Sequence, residues 1–310
     1  MKGINVNNNL LFNVQILMST YNGELYLREQ INSLLLQKKV NINILVRDDG
    51  STDGTIEILQ EYANKGVLKY YIGENIGPAH SFMELLYGSC NADYYAFCDQ
   101  DDVWDSDKLI TAIENIDLEE LDKPALYFSS TRLVDRNLQF IRNSKLKTTI
   151  SLGSSLIINP AAGCTQVFNY SLMKLLRRQV NANNIGMHDA WIYRVCASFN
   201  GKIIFDKKSH ISYRQHGNNV IGGLSNPVKK YKRRINSLIN KKNPRQKSAT
   251  ELLRVYGNEI PKESLVKIKK VVNYKNSVQN KISLLLDSSI KTKNLEYDIS
   301  FYLAVIFNAF

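Results

Sequence analysis

Three carboxylates stand within four residues at Asp99, Asp101 and Asp102, directly after the apolar run Tyr94-Tyr95-Ala96-Phe97-Cys98. Carboxylates this close repel one another and are tolerated where something positive sits between them. A hard divalent cation carrying a diphosphate fits such a group. Position matters as much as content, because in an open α/β sheet ligands bind just beyond the carboxyl ends of the strands. Three other apolar runs also end in polar residues suited to ligand contact: Ser19-Thr20-Tyr21-Asn22-Gly23-Glu24, Asp48-Asp49-Gly50-Ser51-Thr52-Asp53-Gly54 and Glu74-Asn75-Ile76-Gly77-Pro78. Four such ends converging on one rim would make a nucleotide pocket. There a carboxylate such as Asp49 can accept a hydrogen bond from a pyrimidine N3–H, and Tyr21 can stack on a base.

Simpler explanations of the cluster do not account for it. Asp105 or Ser106 is expected to cap the next helix, which leaves three further acids unexplained. An EF-hand is excluded, since Trp104 stands where that loop needs glycine and Ile110 where it needs glutamate. His188, His210 and His216 match no common zinc spacing. The four cysteines (Cys90, Cys98, Cys164, Cys196) form no CxxC pair and read as reduced, mostly buried thiols.

These segments need a scaffold, and the first half of the chain alternates strand and helix to supply one. Strands are predicted at Val14–Met18, Ile42–Arg47, Val67–Ile72 and Tyr94–Cys98. Helices are predicted over Glu24–Gln37, Thr55–Ala63 with Asp53 as cap, Ala79–Tyr87 after Pro78, and Asp105–Ile116. Alternation of this kind implies a mostly parallel sheet with right-handed crossovers. Further strands are predicted at Pro124–Ser129, Val167–Phe168 and Lys202–Phe205, with helices from Ser171 and over Met187–Ser198. Gly163 lies in a turn-prone stretch, as a tight turn or as a point of close approach for a ligand.

Charge is unevenly spread over the 310 residues. The net is −7 over residues 1–110, +3 over 111–201 and +15 over 202–310. The basic tail includes Lys229-Lys230-Tyr231-Lys232-Arg233-Arg234 and Lys241-Lys242-Asn243-Pro244-Arg245-Gln246-Lys247. Such clusters bind anionic lipid or nucleic acid, or form a solvated helix face. The acidic first half argues against nucleic acid as the main partner. No signal peptide is evident, and no apolar run is long enough to span a bilayer. The apolar, aromatic end Ile299–Phe310 suits either packing onto the domain or an interfacial contact.

The segments "STYNGE", "VRDDGSTDGT", "ENIGPAHSF" and "DQDDVW", in this order and spacing, resemble the inverting family 2 glycosyltransferases of the GT-A fold. The later "GMHDAW" and "YRQHGNNVIG" are similar to the bacterial polysaccharide branch described as rhamnosyltransferase-like. The resemblance covers about residues 14–222. It implies an α/β, Rossmann-like GT-A domain over residues 1–225, and a basic, mainly helical region over 226–310 for membrane association or oligomerisation.

By that resemblance Ser19, Thr20 and Tyr21 hold the nucleotide, with Glu24, Asn75 and Gln100 beside it, and Asp49 contacts the pyrimidine. Asp99-Gln100-Asp101, with Asp102 adjacent, binds ribose and the Mg²⁺ or Mn²⁺ on the diphosphate. Either Asp101 or Asp102 is then the main metal ligand. Asp189 is the general base, and His216 lies near the phosphates or acceptor. The implied donor is dTDP-rhamnose, or alternatively a UDP-hexose. The implied acceptor is a saccharide or lipid-linked saccharide for a capsule or O-antigen, at the cytoplasmic membrane face. Two other readings fit less well. A nucleotidyltransferase needs a glycine-rich phosphate loop with a basic residue near the start, which Ser19–Gly23 does not offer. A non-catalytic lipid- or nucleic-acid-binding module leaves Asp49, Asp99, Asp101 and Asp189 without a task.

Overall fold

The computed structural model of the protein describes residues 11–116, 122–216 and 244–310. The two basic clusters up to Asn243, the end of the "YRQHGNNVIG" segment and the expected boundary near residue 226 lie outside the described residues.

Strand β1 (Phe12–Thr20) is buried from Val14 to Met18, as expected of a strand covered on both faces. Its side chains alternate between two apolar clusters: Val14, Ile16 and Met18 enter one, and Leu17 enters the other. β2 (Val40–Asp48), β3 (Lys69–Ile72) and β4 (Tyr94–Cys98) join it in the order β3-β2-β1-β4, all in parallel. The chain thus builds outward from β1 to β3, then returns to place β4 on β1's other side. This reversal is a topological switch point, which opens a crevice at the carboxyl ends of β1 and β4.

The connecting helices are α1 (Leu27–Leu35), α2 (Thr55–Asn64), α3 (Pro78–Gly88) and, after the two-residue strand β5 (Val103–Trp104), α4 (Lys108–Asn115). Two expected caps are corrected. Gly54, not Asp53, is the α2 cap residue, and Asp53 serves from one position earlier by accepting the N–H of Thr55 at 3.1 Å. Asp107, not Asp105 or Ser106, precedes α4 and makes no side-chain cap bond. Asp105 instead pairs with Arg132 at 2.6 Å.

The sheet continues as β8-β6-β9-β5. β6 (Ala125–Val134) lies parallel to β9 (Lys202–Arg214), while β8 (Val167–Asn169) runs antiparallel to both β4 and β6. β7 (Phe140–Asn143) pairs antiparallel with β6 off the main path. Helices α5 (Leu152–Ser155), α6 (Tyr170–Leu176), α7 (Ala182–Ile185) and α8 (His188–Ser198) complete this half. β9 has 13 residues where the sequence predicts a short strand, because its ladder to β6 shifts register around Lys207 and Lys208. That shift resembles a bulge and lets the strand run on to Arg214.

The described C-terminal residues form four helices: α9 (Pro244–Tyr256), α10 (Lys262–Asn273), α11 (Val278–Leu285) and α12 (Leu295–Ile306). Their Leu252, Tyr256, Ile268, Tyr274, Phe301 and Phe310 enter the same apolar cluster as Phe82, Phe97 and Trp191. This helical region therefore shares its core with the sheet. The Ile299–Phe310 segment divides: Phe301, Ala304, Val305 and Phe310 are buried, whereas Leu303, Ile306 and Phe307 are exposed. No described helix is long and apolar enough to cross a membrane.

Candidate active site

One large cavity, of about 1210 Å³, opens at the switch point. Ser19, Thr20, Tyr21, Asp49, Asn75, Asp99, Gln100, Asp101, Asp189 and His216 all line it. Glu24 and Asp102 do not line it.

The β1 and β2 ends are locked by polar contacts. Asp48 is fully buried and accepts the hydroxyls of Thr20 (2.8 Å) and Ser51 (2.6 Å) and the N–H groups of Gly50 and Ser51. Ser19 shares a 2.7 Å hydrogen bond with Ser81 of α3. The hydroxyls expected to meet a nucleotide are thus engaged in holding the wall. Tyr21 keeps its ring 47% exposed at the mouth. Glu24 turns away from the cavity and accepts the Gly54 N–H at 2.6 Å, at the start of α2.

Asp49 is held by Arg47 and by the N–H groups of Ile76 (3.1 Å) and Gly77 (2.9 Å). Gly77 presents its N–H from a positive φ of 78°, a conformation glycine adopts without strain. Two of these three donors reach Oδ1 and one reaches Oδ2. A carboxylate oxygen accepts two bonds, so Oδ2 can take one more donor from the cavity. Gln100 clamps the β4 end to the β1 end: its Oε1 accepts the Tyr21 N–H at 2.8 Å and its Nε2 donates to the Tyr21 carbonyl at 3.0 Å.

The three clustered acids occupy distinct environments. Asp101 Oδ2 lies 2.7 Å from His216 Nε2 on the cavity wall. Asp99 also faces the cavity, and its pKa is pushed up to about 7 by burial and then by the charges of Asp101 and Asp189. Asp102 stands apart from the other two acids. It is fully buried behind the wall and accepts the Arg214 N–H at 3.1 Å. Burial above all, then Asp101 and Asp99, raises its pKa well above the carboxylate range.

Asp99, Asp102 and Cys164 bring their donor atoms within 4.8 Å of one another. Burial also raises the Cys164 thiol well above its usual pKa, and a protonated thiol does not suit a hard cation. Within this group Asp102 Oδ2 is buried and has no hydrogen-bond partner among the described residues. On the open side, the carboxylates of Asp99 and Asp101 are the hard oxygen donors that Mg²⁺ or Mn²⁺ prefers, while His216 Nε2 is engaged with Asp101. A second group, Asp105, Asp107 and His210, lies off the cavity.

Asp189 stands in the first turn of α8, where the helix dipole favours negative charge. Its Oδ1 accepts the Ala190 N–H at 2.7 Å. Burial nevertheless raises its pKa to about 6, against the lowering effects of the Ala190 N–H, Arg194, the Gly163 N–H and the Asn159 side chain. Gly163 begins the single 3₁₀ turn Gly163–Thr165 and packs against this helix start. A Cβ there would lie 2.8 Å from His188 Nε2 and 3.3 Å from Asp189 Cβ. Close approach is thus required by the protein itself.

The sequence reading missed several residues of the site. Arg214 donates to the Asp101 carbonyl (2.8 Å) and the Arg136 carbonyl (2.6 Å), pairs with Glu29, and lies over the Tyr26 ring at 4.4 Å. Lys108 is buried, donates to the Cys164 carbonyl at 2.8 Å and sits over Trp104, with its pKa lowered to about 7 by burial. His188 is buried with neither ring nitrogen hydrogen-bonded among the described residues, stacked on Phe82 at 3.9 Å. Arg194, on α8, lines the cavity. Arg214 belongs to the same segment as His216, so the motif itself held the signal. His188 likewise belongs to the "GMHDAW" segment, whereas Lys108 follows the polar turn Asp105-Ser106-Asp107 and Arg194 sits in an apolar stretch, and neither carries a signal.

Residues 15–183 match the sequence model described as "Glycosyl transferase family 2". The dTDP-rhamnosyl transferase RfbG of Shigella flexneri is 31% identical over 237 residues, which cover 70% of this chain and 77% of that protein. Among solved structures, S. aureus TarS residues 1–349 in complex with UDP-GlcNAc aligns with a TM-score of 0.55 and 20% identity, covering 94% of this chain and 90% of that one. The Pyrobaculum calidifontis mannosyltransferase PcManGT, in complex with GDP-Man and Mn²⁺, aligns with a TM-score of 0.52 and 15% identity, covering 96% and 86%. At these identities the structural likeness establishes the fold.

Proposed function

The chain belongs to glycosyl transferase family 2, and from that premise we propose that it is an inverting, metal-dependent transferase acting on a nucleoside-diphosphate sugar. The observation that carries this reading is that Asp49, Asp99, Asp101, His216 and Asp189 line a single cavity at the switch point. Asp49 Oδ2 accepts the base N3–H, and Tyr21 stacks on the base. Asp99 binds the ribose. Asp101 and Asp99, with Asp102 behind them, would hold Mg²⁺ or Mn²⁺, and His216 beside Asp101 would lie near the phosphates. When bound, the ion supplies Lewis-acid stabilisation of the diphosphate leaving group.

Asp189 accepts the proton of the acceptor hydroxyl. A carboxylate with a pKa of about 6 is mostly ionised at neutral pH, yet is more basic than an ordinary aspartate. Attack opposite the leaving group inverts the anomeric centre in one displacement, so no second nucleophile is needed.

The donor is dTDP-rhamnose, a choice supported by the RfbG relative. The acceptor is a saccharide, free or lipid-linked, of a bacterial surface polysaccharide. Membrane docking falls to residues 226–310. Exposed Val278, Ile282 and Leu286 follow helical spacing along α11, as do Leu295, Ile299, Leu303 and Ile306 along α12. Lys269 and Lys293 are exposed on the same region. Apolar stripes with lysines suit an anionic bilayer surface.

Nucleotide-sugar turnover tests the reading. The protein is incubated with Mn²⁺ and a panel of dTDP-rhamnose, UDP-glucose, UDP-galactose, UDP-GlcNAc and GDP-mannose, and released nucleoside diphosphate is measured. Release from dTDP-rhamnose above the others is expected. Preference for a UDP-sugar would overturn the donor, and release from none would overturn the proposal.

A further inference from the structure

The cavity is lined by both acids and cations. Its lining acids are Asp49, Asp99, Asp101 and Asp189, at the strand ends and the start of α8. It is also lined by Arg142, Lys145, Lys147, Arg194 and Arg245, contributed by β7, the following loop, α8 and α9. No part of the donor site proposed above uses these five cations.

Arg194 is the informative one. It is only 7% exposed, yet forms no salt bridge among the described residues. Its Nε donates to the Ser155 carbonyl and its Nη1 to Ser248 Oγ, each at 2.9 Å. Nη2 has no hydrogen-bond partner among the described residues, on a side chain that lines the cavity. Its pKa is lowered to about 10 by burial and then by the neighbouring charge of Arg245, with Asp189 opposing. A buried guanidinium beside a second cation is unfavourable unless an anion completes the site. Planar guanidinium forks match phosphate oxygens two at a time.

We infer that Arg194 and the cations that line the cavity with it form an anion subsite that receives a phosphate or diphosphate group carried by the acceptor. The inference rests on the reading of Asp189 as the base at which transfer occurs. Asp189 and Arg194 are five residues apart on α8, about 7.5 Å along the axis. The accepting hydroxyl and the phosphate then belong to the same sugar or to adjoining ones. Two sources share this chemistry: the diphosphate of a lipid carrier, and a phosphodiester within a polymer.

Calorimetry on the full chain in EDTA tests the inference, with inorganic pyrophosphate as the first probe. Wild type is expected to bind it saturably, and Arg194→Gln to weaken binding at least tenfold. Because Arg194 also ties α8 to its neighbours, the exposed pair Lys145→Gln/Lys147→Gln is measured beside it, with a weakening of at least threefold expected. Both variants should bind dTDP with Mn²⁺ as wild type does. Loss of dTDP binding by wild type would instead count against the donor reading. Farnesyl diphosphate binding more tightly than a glycerol phosphodiester assigns the lipid carrier, and the reverse assigns the polymer. Absence of pyrophosphate binding in wild type, equal binding in both variants, or tighter binding of glucuronate would overturn the subsite.

Discussion

Replacing Asp189 by asparagine separates what this carboxylate does from what it costs the fold. Burial raises its pKa from 3.8 to about 6. Two units correspond to about 3 kcal/mol at 1.36 kcal/mol per unit. The sign follows from linkage. A raised carboxylate pKa means the folded protein holds the proton more tightly than the unfolded chain does. This contribution is fully present below pH 3.8 and is lost as the pH rises through about 6. At pH 8 the ionised wild type carries the whole penalty. The asparagine carries none, and its amide oxygen can still accept the Ala190 N–H. Asp189→Asn is therefore expected to be more stable than wild type by up to about 3 kcal/mol at pH 8, with little difference at pH 4. Urea denaturation followed by tryptophan fluorescence measures this. The same variant should bind donor normally and lose transfer by about 10²–10⁴-fold. In wild type, transfer should fall about tenfold between pH 7 and pH 5 as the base protonates. Equal stability of the two proteins at pH 8, or parallel loss of donor binding and transfer, would refute the reasoning.

Other substitutions test neighbouring parts of the account. Gly163→Ala forces a methyl against the His188 ring and Asp189. It should lower kcat at least tenfold while leaving donor affinity unchanged, as seen by initial rates against donor titration. Arg214→Met removes the donor to the Asp101 and Arg136 carbonyls. It should destabilise the fold by about 1–3 kcal/mol for each carbonyl left unsatisfied and weaken metal-dependent dTDP binding. Ile282→Glu combined with Leu303→Glu alters only exposed positions. It should leave stability within about 0.5 kcal/mol and reduce co-sedimentation with anionic vesicles severalfold, and unchanged co-sedimentation would remove the membrane assignment. Deleting residues 226–310 is not an equivalent test, because Tyr256, Tyr274 and Phe310 belong to the core shared with α8.

The first four strands were legible because each is a short apolar run closed by polar turn residues, a pattern that follows directly from burial on both faces. The rim they form, and with it most of the site, could be read the same way. β9 was harder. Asp206, Lys207 and Lys208 break its apolar pattern, and only the register shift against β6 lets the strand continue to Arg214. The three clustered acids are chemically identical in the sequence. Only the fold separates Asp101, on the cavity wall beside His216, from Asp102, sealed behind it against Arg214. The resemblance puts Glu24 beside the nucleotide, but its carboxylate accepts the Gly54 N–H at the start of α2. Arg194 gave no signal because a lone arginine among Trp191, Ile192 and Val195 reads as part of an apolar helix.

The account stands most directly on one calorimetric comparison: dTDP binding to wild type, Asp49→Ala and Asp101→Ala, each with Mn²⁺ and with EDTA. Wild type should bind at least tenfold more tightly with Mn²⁺, Asp101→Ala should lose that dependence, and Asp49→Ala should bind more weakly in both conditions. Binding of dTDP that is indifferent to Mn²⁺ and to both substitutions would contradict the claim that the acidic strand ends at this switch point hold the nucleotide and its cation.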